Sequence, residues 1–226
     1  MPHALDNPIW HALIGPHVSL AIGGGLARHY PHDIVPLSAV AAATDAASAD
    51  LAIDLPSGRE ARLLRPTNEP APAGWETVRA RPIIQMLAGE LVTPHFGLRD
   101  DLTLLGADDA KDMLALAEVA KPGPFGPRAY LLGRYVGFRD GGRLLAMGGE
   151  RCRLPGLVEL SGISVHPDAR GKGLGTAITL HLARRALARG ETPFLHVFPD
   201  NPAAALYRRL GFRERTRLWA ISRRVT

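Results

Sequence analysis

Residues 165–176 read Val-His-Pro-Asp-Ala-Arg-Gly-Lys-Gly-Leu-Gly-Thr, so Gly171, Gly173 and Gly175 alternate with Arg170, Lys172, Leu174 and Thr176. A strand-like apolar run precedes this stretch and a helical apolar stripe follows it. A helix that starts this way leaves its first backbone N–H groups unpaired, at the positive end of the helix dipole. A pyrophosphate suits such a place, and glycine lets phosphate oxygens approach the backbone closely. The chain holds 24 glycines, so the same run also reads as a plain glycine-rich helix start. Gly23-Gly24-Gly25 lacks a surrounding phosphate-loop or dinucleotide pattern and reads as a turn.

The elements that would position these residues are legible in the second half. Residues 107–120 carry Met113, Leu114, Leu116 and Val119 at helical spacing behind Asp108 and Asp109. Residues 130–138 and 143–153 read as strands joined by a tight turn at Asp140-Gly141-Gly142. A third strand over 158–165 stops at Pro167. Leu174, Ala177, Ile178, His181, Leu182 and Leu187 then make an apolar helical stripe, with Gly190 where a C-terminal cap belongs. A buried-type strand over 193–198 leads to a short helix over 201–210, which has Pro202 near its start and Gly211 past its end. The chain returns as a last strand from Phe212. Strand, crossover helix, strand makes a right-handed parallel unit at the centre.

The first half is weaker. Residues 18–22, 60–64 and 75–87 read as strands, the Ala-rich stretch 39–52 is open between helix and loop, and residues 65–74 and 121–127 are loops rich in proline and glycine. No run of about 18 apolar residues exists, so no membrane span is expected. The start MPHALDNPIW has no secretory pattern. Cys152 is the only cysteine, which fits a reducing cytoplasm and reads as a small buried hydrophobe rather than a nucleophile. Net charge is +5, almost all of it arginine. These arginines are scattered without aromatic interleaving, so a solvated basic surface is preferred to nucleic-acid binding. No His/Cys/Asp/Glu spacing marks a metal site.

A second block follows the glycines. Residues 194–212 read Phe-Leu-His-Val-Phe-Pro-Asp-Asn-Pro-Ala-Ala-Ala-Leu-Tyr-Arg-Arg-Leu-Gly-Phe. Together the two blocks resemble the GNAT superfamily of acyl-CoA-dependent N-acyltransferases, whose Arg/Gln-x-x-Gly-x-Gly/Ala signature is met by Arg170, Gly173 and Gly175. The resemblance spans residues 105–220 and is strongest to a bacterial subgroup labelled only as acetyltransferases. Residues 1–100 match none of its motifs and read as an N-terminal lobe or a degenerate half-copy, with the GNAT domain over 105–226.

The resemblance implies an α/β fold: a mixed, mostly antiparallel sheet flanked by helices, its one parallel pair splayed around the acyl donor. It implies acetyl-CoA as co-substrate and a primary amine, on a small molecule or peptide, as acceptor. The backbone of Ile163, Ser164 and Val165 would bond the pantetheine arm, and Gly162 would mark a bulge that frees an N–H for the developing oxyanion. Arg170, Gly171, Lys172, Gly173, Leu174, Gly175 and Thr176 would hold the pyrophosphate, and Asn201 would bond the pantetheine region. Tyr207 would stand near the thioester sulfur, where a phenol of pKa about 10 is protonated and able to donate. It could equally pack with Ala203, one helical turn away. Glu159, eleven residues before Arg170, is placed like the glutamate base of histone-type members, but could instead orient substrate or pair with an arginine. Glu150 and His196 are rival bases. The acceptor would enter near the 121–125 loop and the Asp140 turn. A non-catalytic acyl-CoA-binding module is the alternative.

Overall fold

The computed structural model describes residues 3–55, 58–92 and 101–226. Helix α1 is Pro8–Leu13, and a small hairpin pairs β1 (Ala27–His29) with β2 (Ser38–Val40). Helix α2 (Asp45–Asp54), strands β3 (Ala61–Arg65) and β4 (Trp75–Ala88), the short edge strand β5 (Thr103–Leu105) and helix α3 (Ala110–Ala120) follow. Then come β6 (Tyr135–Asp140), β7 (Arg143–Leu154), β8 (Leu157–Val165), α4 (Leu174–Ala188), β9 (Thr192–Val197), α5 (Ala203–Arg209) and β10 (Phe212–Val225).

Eight strands form one sheet in the order β3-β10-β4-β9-β8-β7-β6-β5, with β8–β9 the parallel pair and every other pairing antiparallel. The mixed, mostly antiparallel α/β fold is therefore present. The expected boundary near residue 100 is not a boundary in this sheet. β4, from the first hundred residues, lies between β9 and β10 and pairs with both.

Local chemistry explains most of these elements. Gly141 and Gly142, with φ of 56° and 81°, close the two-residue β6–β7 turn, a conformation in which a Cβ would be strained. Helix α4 buries Leu174, Ala177, Ile178, Leu182 and Ala183 in one continuous stripe. Each fully buried Leu or Ile contributes roughly 1.5–3 kcal/mol.

Two layers cover the sheet. On one face α4 and α5 pack over Ile84, Val136, Ala146, Leu160 and Leu195. On the other, α1, α3 and the N-terminal segment pack over Met147, Cys152, Phe194 and Leu218, with Leu5, Ile9, Leu13, Tyr30 and Met113 contributed from above. A third cluster joins α2, the β1–β2 hairpin, β3 and Trp75.

Two expectations need correction, and one open choice is resolved. Residues 18–22 are not a strand: Val18–Leu20 is a single 3-10 turn, and only Ile22 bridges to His29. The stretch 39–52 is the end of β2 followed by α2, capped by Thr44, whose Oγ1 accepts from Ala47 N–H at 3.2 Å. The strand expected from residue 130 begins at Tyr135, because Ala129–Leu132 forms a 3-10 turn.

Candidate active site

The parallel pair is short. β8 and β9 are in register only over Leu157–Val158–Glu159 and Thr192–Pro193–Phe194. Beyond Phe194, β9 pairs with β4 through Leu195, His196 and Val197, while β8 keeps pairing with β7 as far as Val165. Two neighbouring strands that part in mid-sheet leave facing backbone groups unpaired, and buried N–H and C=O groups require partners. The slot between them can be bridged by an extended amide-bearing chain.

β8 is bulged at the slot. Met147 and Gly149 of β7 stand opposite Ser164 and Ser161, so β8 carries one residue more than β7 over that interval. The extra residue falls at Gly162–Ile163, and Gly162 has φ +65°, a left-handed conformation that favours glycine. A Cβ on Gly162 would stand 3.3 Å from Tyr135 Cε1 and 3.4 Å from Phe125 Cε2. Phe125 thus brings the 121–125 loop to the bulge, edge-on to Tyr135 with ring centroids 5.9 Å apart.

Past the bulge, His166 N–H donates to Leu145 O on β7 at 2.8 Å. Backbone groups alternate sides along a strand, so Val165 and Ile163 direct theirs to the slot and Ser164 toward β7. Side chains alternate between the two faces of the sheet with the same period: Ile163 and Val165 are half-buried and Ser164 is buried, its Oγ donating to Gly162 O at 3.1 Å.

At the end of β8 a short turn delivers the glycine segment. It is fixed from below by Arg143, whose guanidinium donates to His166 Nε2 at 2.7 Å and reaches Asp168 at 3.5 Å. Arg170, Gly171 and Lys172 are exposed, Gly173 and Gly175 half-buried, Leu174 and Thr176 buried. Gly171 and Gly173 both have φ +75°. Gly173 occupies the N-cap of α4, no side chain caps the helix, and the Ala177 N–H is bonded to Gly173 O at 3.0 Å. A Cβ on Gly171 would meet nothing, and one on Gly175 only Val165 Cγ2 at 3.6 Å. Positive φ therefore favours glycine at 171 and 173, and at 171 crowding within the protein plays no part. The space above the helix start is open to a phosphate group, and the uncapped amides fit one.

Beyond β9, Asn201 Oδ1 accepts from Ala203 N–H at 2.9 Å, which turns the chain into α5. Tyr207 is 8% exposed and packs edge-on against Phe212 with centroids 6.1 Å apart. Its hydroxyl has no hydrogen-bond partner among the described residues, nor is it among the fully enclosed unpartnered atoms. Burial pushes the Tyr207 phenol up to about 12.

Glu159 is not the open carboxylate that a general base requires. It is 1% exposed, and Arg151 donates to it twice, Nε to Oε2 at 2.9 Å and Nη2 to Oε1 at 2.6 Å. His196 Nδ1 bonds Oε1 at 2.6 Å. Burial raises its pKa, but the Arg151 charge and the bonds from His196 and Arg151 outweigh that and hold the carboxyl well below the usual range. Of the two roles left open for Glu159, pairing with an arginine is the one its surroundings favour.

The rival bases are occupied as well. Glu150 is buried between Arg153 and Arg189, each at 2.6 Å. His196 lies in a buried chain. Arg215 donates to Asp6 at 2.7 Å and to Gln85 Oε1 at 2.8 Å. Guanidinium can only donate, so the Gln85 oxygen accepts and its amide nitrogen donates, to Leu5 O at 2.8 Å and to His196 Nε2 at 3.0 Å. His196 Nε2 then accepts, and the ring proton sits on Nδ1, facing Glu159. The His196 side chain is 2% exposed although the residue as a whole is half-buried, so its main chain is the exposed part.

Arg151, Gln85 and Arg215 were missed by sequence reasoning. Gln85 and Arg215 sit in strands with ordinary patterning. Arg151 does carry a signal, a charge inside a strand otherwise rich in buried residues.

The FR47-like protein family matches residues 135–220. Mycothiol acetyltransferase from Mycobacterium sp. (strain JLS) is 41% identical over 88 residues, 35% of this chain and 29% of that protein. The protein of the same name from Mycobacterium avium (strain 104) is 33% identical over 156 residues, 57% of this chain and 48% of its own length. This chain thus spans less than half of the curated relatives it matches. A provisional acetyltransferase of the GNAT family from Novosphingobium aromaticivorans DSM 12444 is similar over the whole of both chains, with 34% identity and a TM-score of 0.90. With full-length likeness at that identity, a splayed parallel pair and an uncapped glycine helix start, the chain belongs to the GNAT family of acetyltransferases.

Proposed function

We propose that the protein transfers an acetyl group from acetyl-CoA to a primary amine by direct attack within a ternary complex. The observation that carries this reading is the parting of β8 and β9 after Phe194, which leaves a slot ending at the uncapped start of α4. In it the pantetheine amides bond the strand edges at Ile163 and Val165 beside Ser164, with Asn201 on the far wall. The amides of residues 170–176 receive the pyrophosphate.

In the reaction, the amine nitrogen forms a bond to the thioester carbon and the carbon–sulfur bond breaks. The amine's proton leaves to solvent, and the departing thiolate accepts a hydrogen bond from the Tyr207 hydroxyl. A thiol has a pKa near 8.5, well below a phenol at about 12. Tyr207 therefore stabilises the thiolate by donating a hydrogen bond more than by surrendering its proton. Slot-facing N–H groups beside the Gly162 bulge steady the oxyanion.

The acceptor class follows from the three candidate bases among the described residues, Glu159, Glu150 and His196, all being held in buried bonds. With Glu159 locked to Arg151, a suitable amine must already be partly unprotonated. α-Amines, near 7.7–8.0, meet this condition and lysine-type amines, near 10.4, do not. The two curated relatives are named for mycothiol, so a mycothiol-related amine belongs in the acceptor panel. The test is thiol release from acetyl-CoA with α-amines and alkylamines across pH. We expect kcat/KM to rise with pH up to each amine's own pKa. A plateau at one lower pH, shared by all amines, would reveal an enzyme base and overturn the acceptor assignment. No turnover with any amine would favour the non-catalytic binding module.

A further inference from the structure

At the opposite end of β10 from Phe212, a cavity of about 350 Å³ lies between α2, β3 and the Glu69–Pro72 loop. Arg223 stands eleven residues beyond Phe212 on β10, about 35 Å along the strand at its usual rise. The cavity is therefore separate from the slot. Its lining joins the apolar Val40, Leu51, Leu63 and Trp75 to the polar Thr44, Ser48 and Glu69, and Arg223 is its buried cation.

Arg223 is 5% exposed. Its Nη2 donates to two neutral carbonyls, Glu69 O at 2.8 Å and Pro70 O at 2.9 Å. Its Nε is enclosed, with no hydrogen-bond partner among the described residues. The Glu69 carboxylate on the lining is spent elsewhere: it accepts from Arg65 Nε at 3.2 Å and Nη2 at 3.2 Å, and from Thr67 Oγ1 at 3.2 Å. Burial lowers the Arg223 pKa, Glu69 partly restores it, and the second guanidinium at Arg65 lowers it further. A buried cation without an anion is costly, and a buried N–H left unbonded adds to the cost. The start of α2 lies at the same cavity, with Thr44 as its cap. Asp45, also on the lining, is exposed.

We propose that this cavity binds a small monocarboxylate with a compact apolar body, its carboxylate on Arg223 and its body against Trp75, Leu51 and Leu63. One uncompensated guanidinium calls for one negative charge, and the apolar part of the lining calls for a hydrocarbon or aromatic group rather than a second phosphate-like charge. The volume is at the small end of ligand sites, which limits the ligand to a short acyl chain or a single ring.

The test uses hexanoate and phenylacetate as probes, with hexanamide and phenylacetamide as neutral controls of the same shape. Concentrations run to about 10 mM, above the millimolar affinity expected of ligands this small. Thermal unfolding and tryptophan fluorescence are read together. We expect the carboxylates to raise Tm and change the Trp75 signal, a change absent in Trp75→Phe, while the amides do neither. Arg223→Gln should weaken the carboxylate effect tenfold or more and leave the acetyl-CoA stabilisation in place. Ala71→Phe, a substitution in the exposed loop that lines the cavity, should block the carboxylates without touching Arg223 and serves if the arginine variant does not fold. No carboxylate effect over this range would overturn the proposal. So would equal effects from the amides, or effects unchanged in Ala71→Phe.

Discussion

Arg151 and Glu159 meet across adjacent antiparallel strands in a two-point ion pair, 2.9 and 2.6 Å long, with side chains 10% and 1% exposed. The pair decides how the slot region holds together and what Glu159 can do. Desolvating two charges is offset only when their geometry is good, and removing one partner leaves the other buried and alone. Arg151→Met should therefore destabilise the fold by roughly 3–5 kcal/mol, measured by denaturant unfolding. A loss under about 1 kcal/mol would mean the pair is solvated or dispensable.

The same pair sets an acid limit. The folded-state pKa of Glu159 is held well below its ordinary 4.5. A depressed carboxyl contributes stability that is present above the unfolded pKa and is lost as pH falls toward the folded one. Wild type should lose Tm steeply below about pH 4.5, and Glu159→Gln should start lower but fall less steeply there. Parallel curves would exclude Glu159 as the source.

His17 acts in a higher window. Its pKa is lowered from 6.5 to about 4, mainly by burial and further by Arg153, and its Nδ1 pairs with the Tyr30 hydroxyl at 2.9 Å. The unfolded chain binds this proton first, so stability falls as pH drops from 6.5 toward 4. The loss is at most about 3 kcal/mol. His17→Asn should flatten the Tm slope over this window. An unchanged slope would assign the titration to another group.

Acetyl-CoA at about 100 times its Kd should stabilise the wild type by roughly 2.7 kcal/mol. Gly173→Asp places a carboxylate at the helix start where the proposed function puts the pyrophosphate, and it should remove that shift. Aspartate tolerates left-handed backbone better than most residues, so the variant should fold, and the ligand-dependent shift rather than Tm itself is the readout. An equal shift in both proteins would move the phosphate site elsewhere.

Tyr207→Phe keeps the ring against Phe212 and removes the hydroxyl. Turnover should fall by about 10²-fold, the low end for a positioned donor, because burial makes this phenol a reluctant acid. Affinity for acetyl-CoA should hold, since the bond strengthens as charge develops on sulfur. With chemistry shown to be rate-limiting, near-wild-type turnover would make Tyr207 a packing residue.

Local sequence determined the parts whose physics is local. Glycines at 141, 142 and 190 mark positive-φ positions, readable as turn and cap because only glycine adopts that backbone freely; Gly171 and Gly173, also at positive φ, are readable as a glycine-rich helix start. The stripe of α4 and the crossover from β8 to β9 were readable for the same reason: periodicity follows from 3.6 residues per turn. Tertiary structure alone decided the pairings between distant residues. β4 enters the sheet between β9 and β10, joining Gln85 to His196 across 111 residues and to Arg215 across 130. Strand order depends on which edges are free once the chain has collapsed, and a single strand's alternation does not encode its neighbours. Glu159 shows the consequence. Its residue type and spacing fit a base, but its protonation is governed by Arg151 and His196, which only the pairing of β7, β8 and β9 brings within reach.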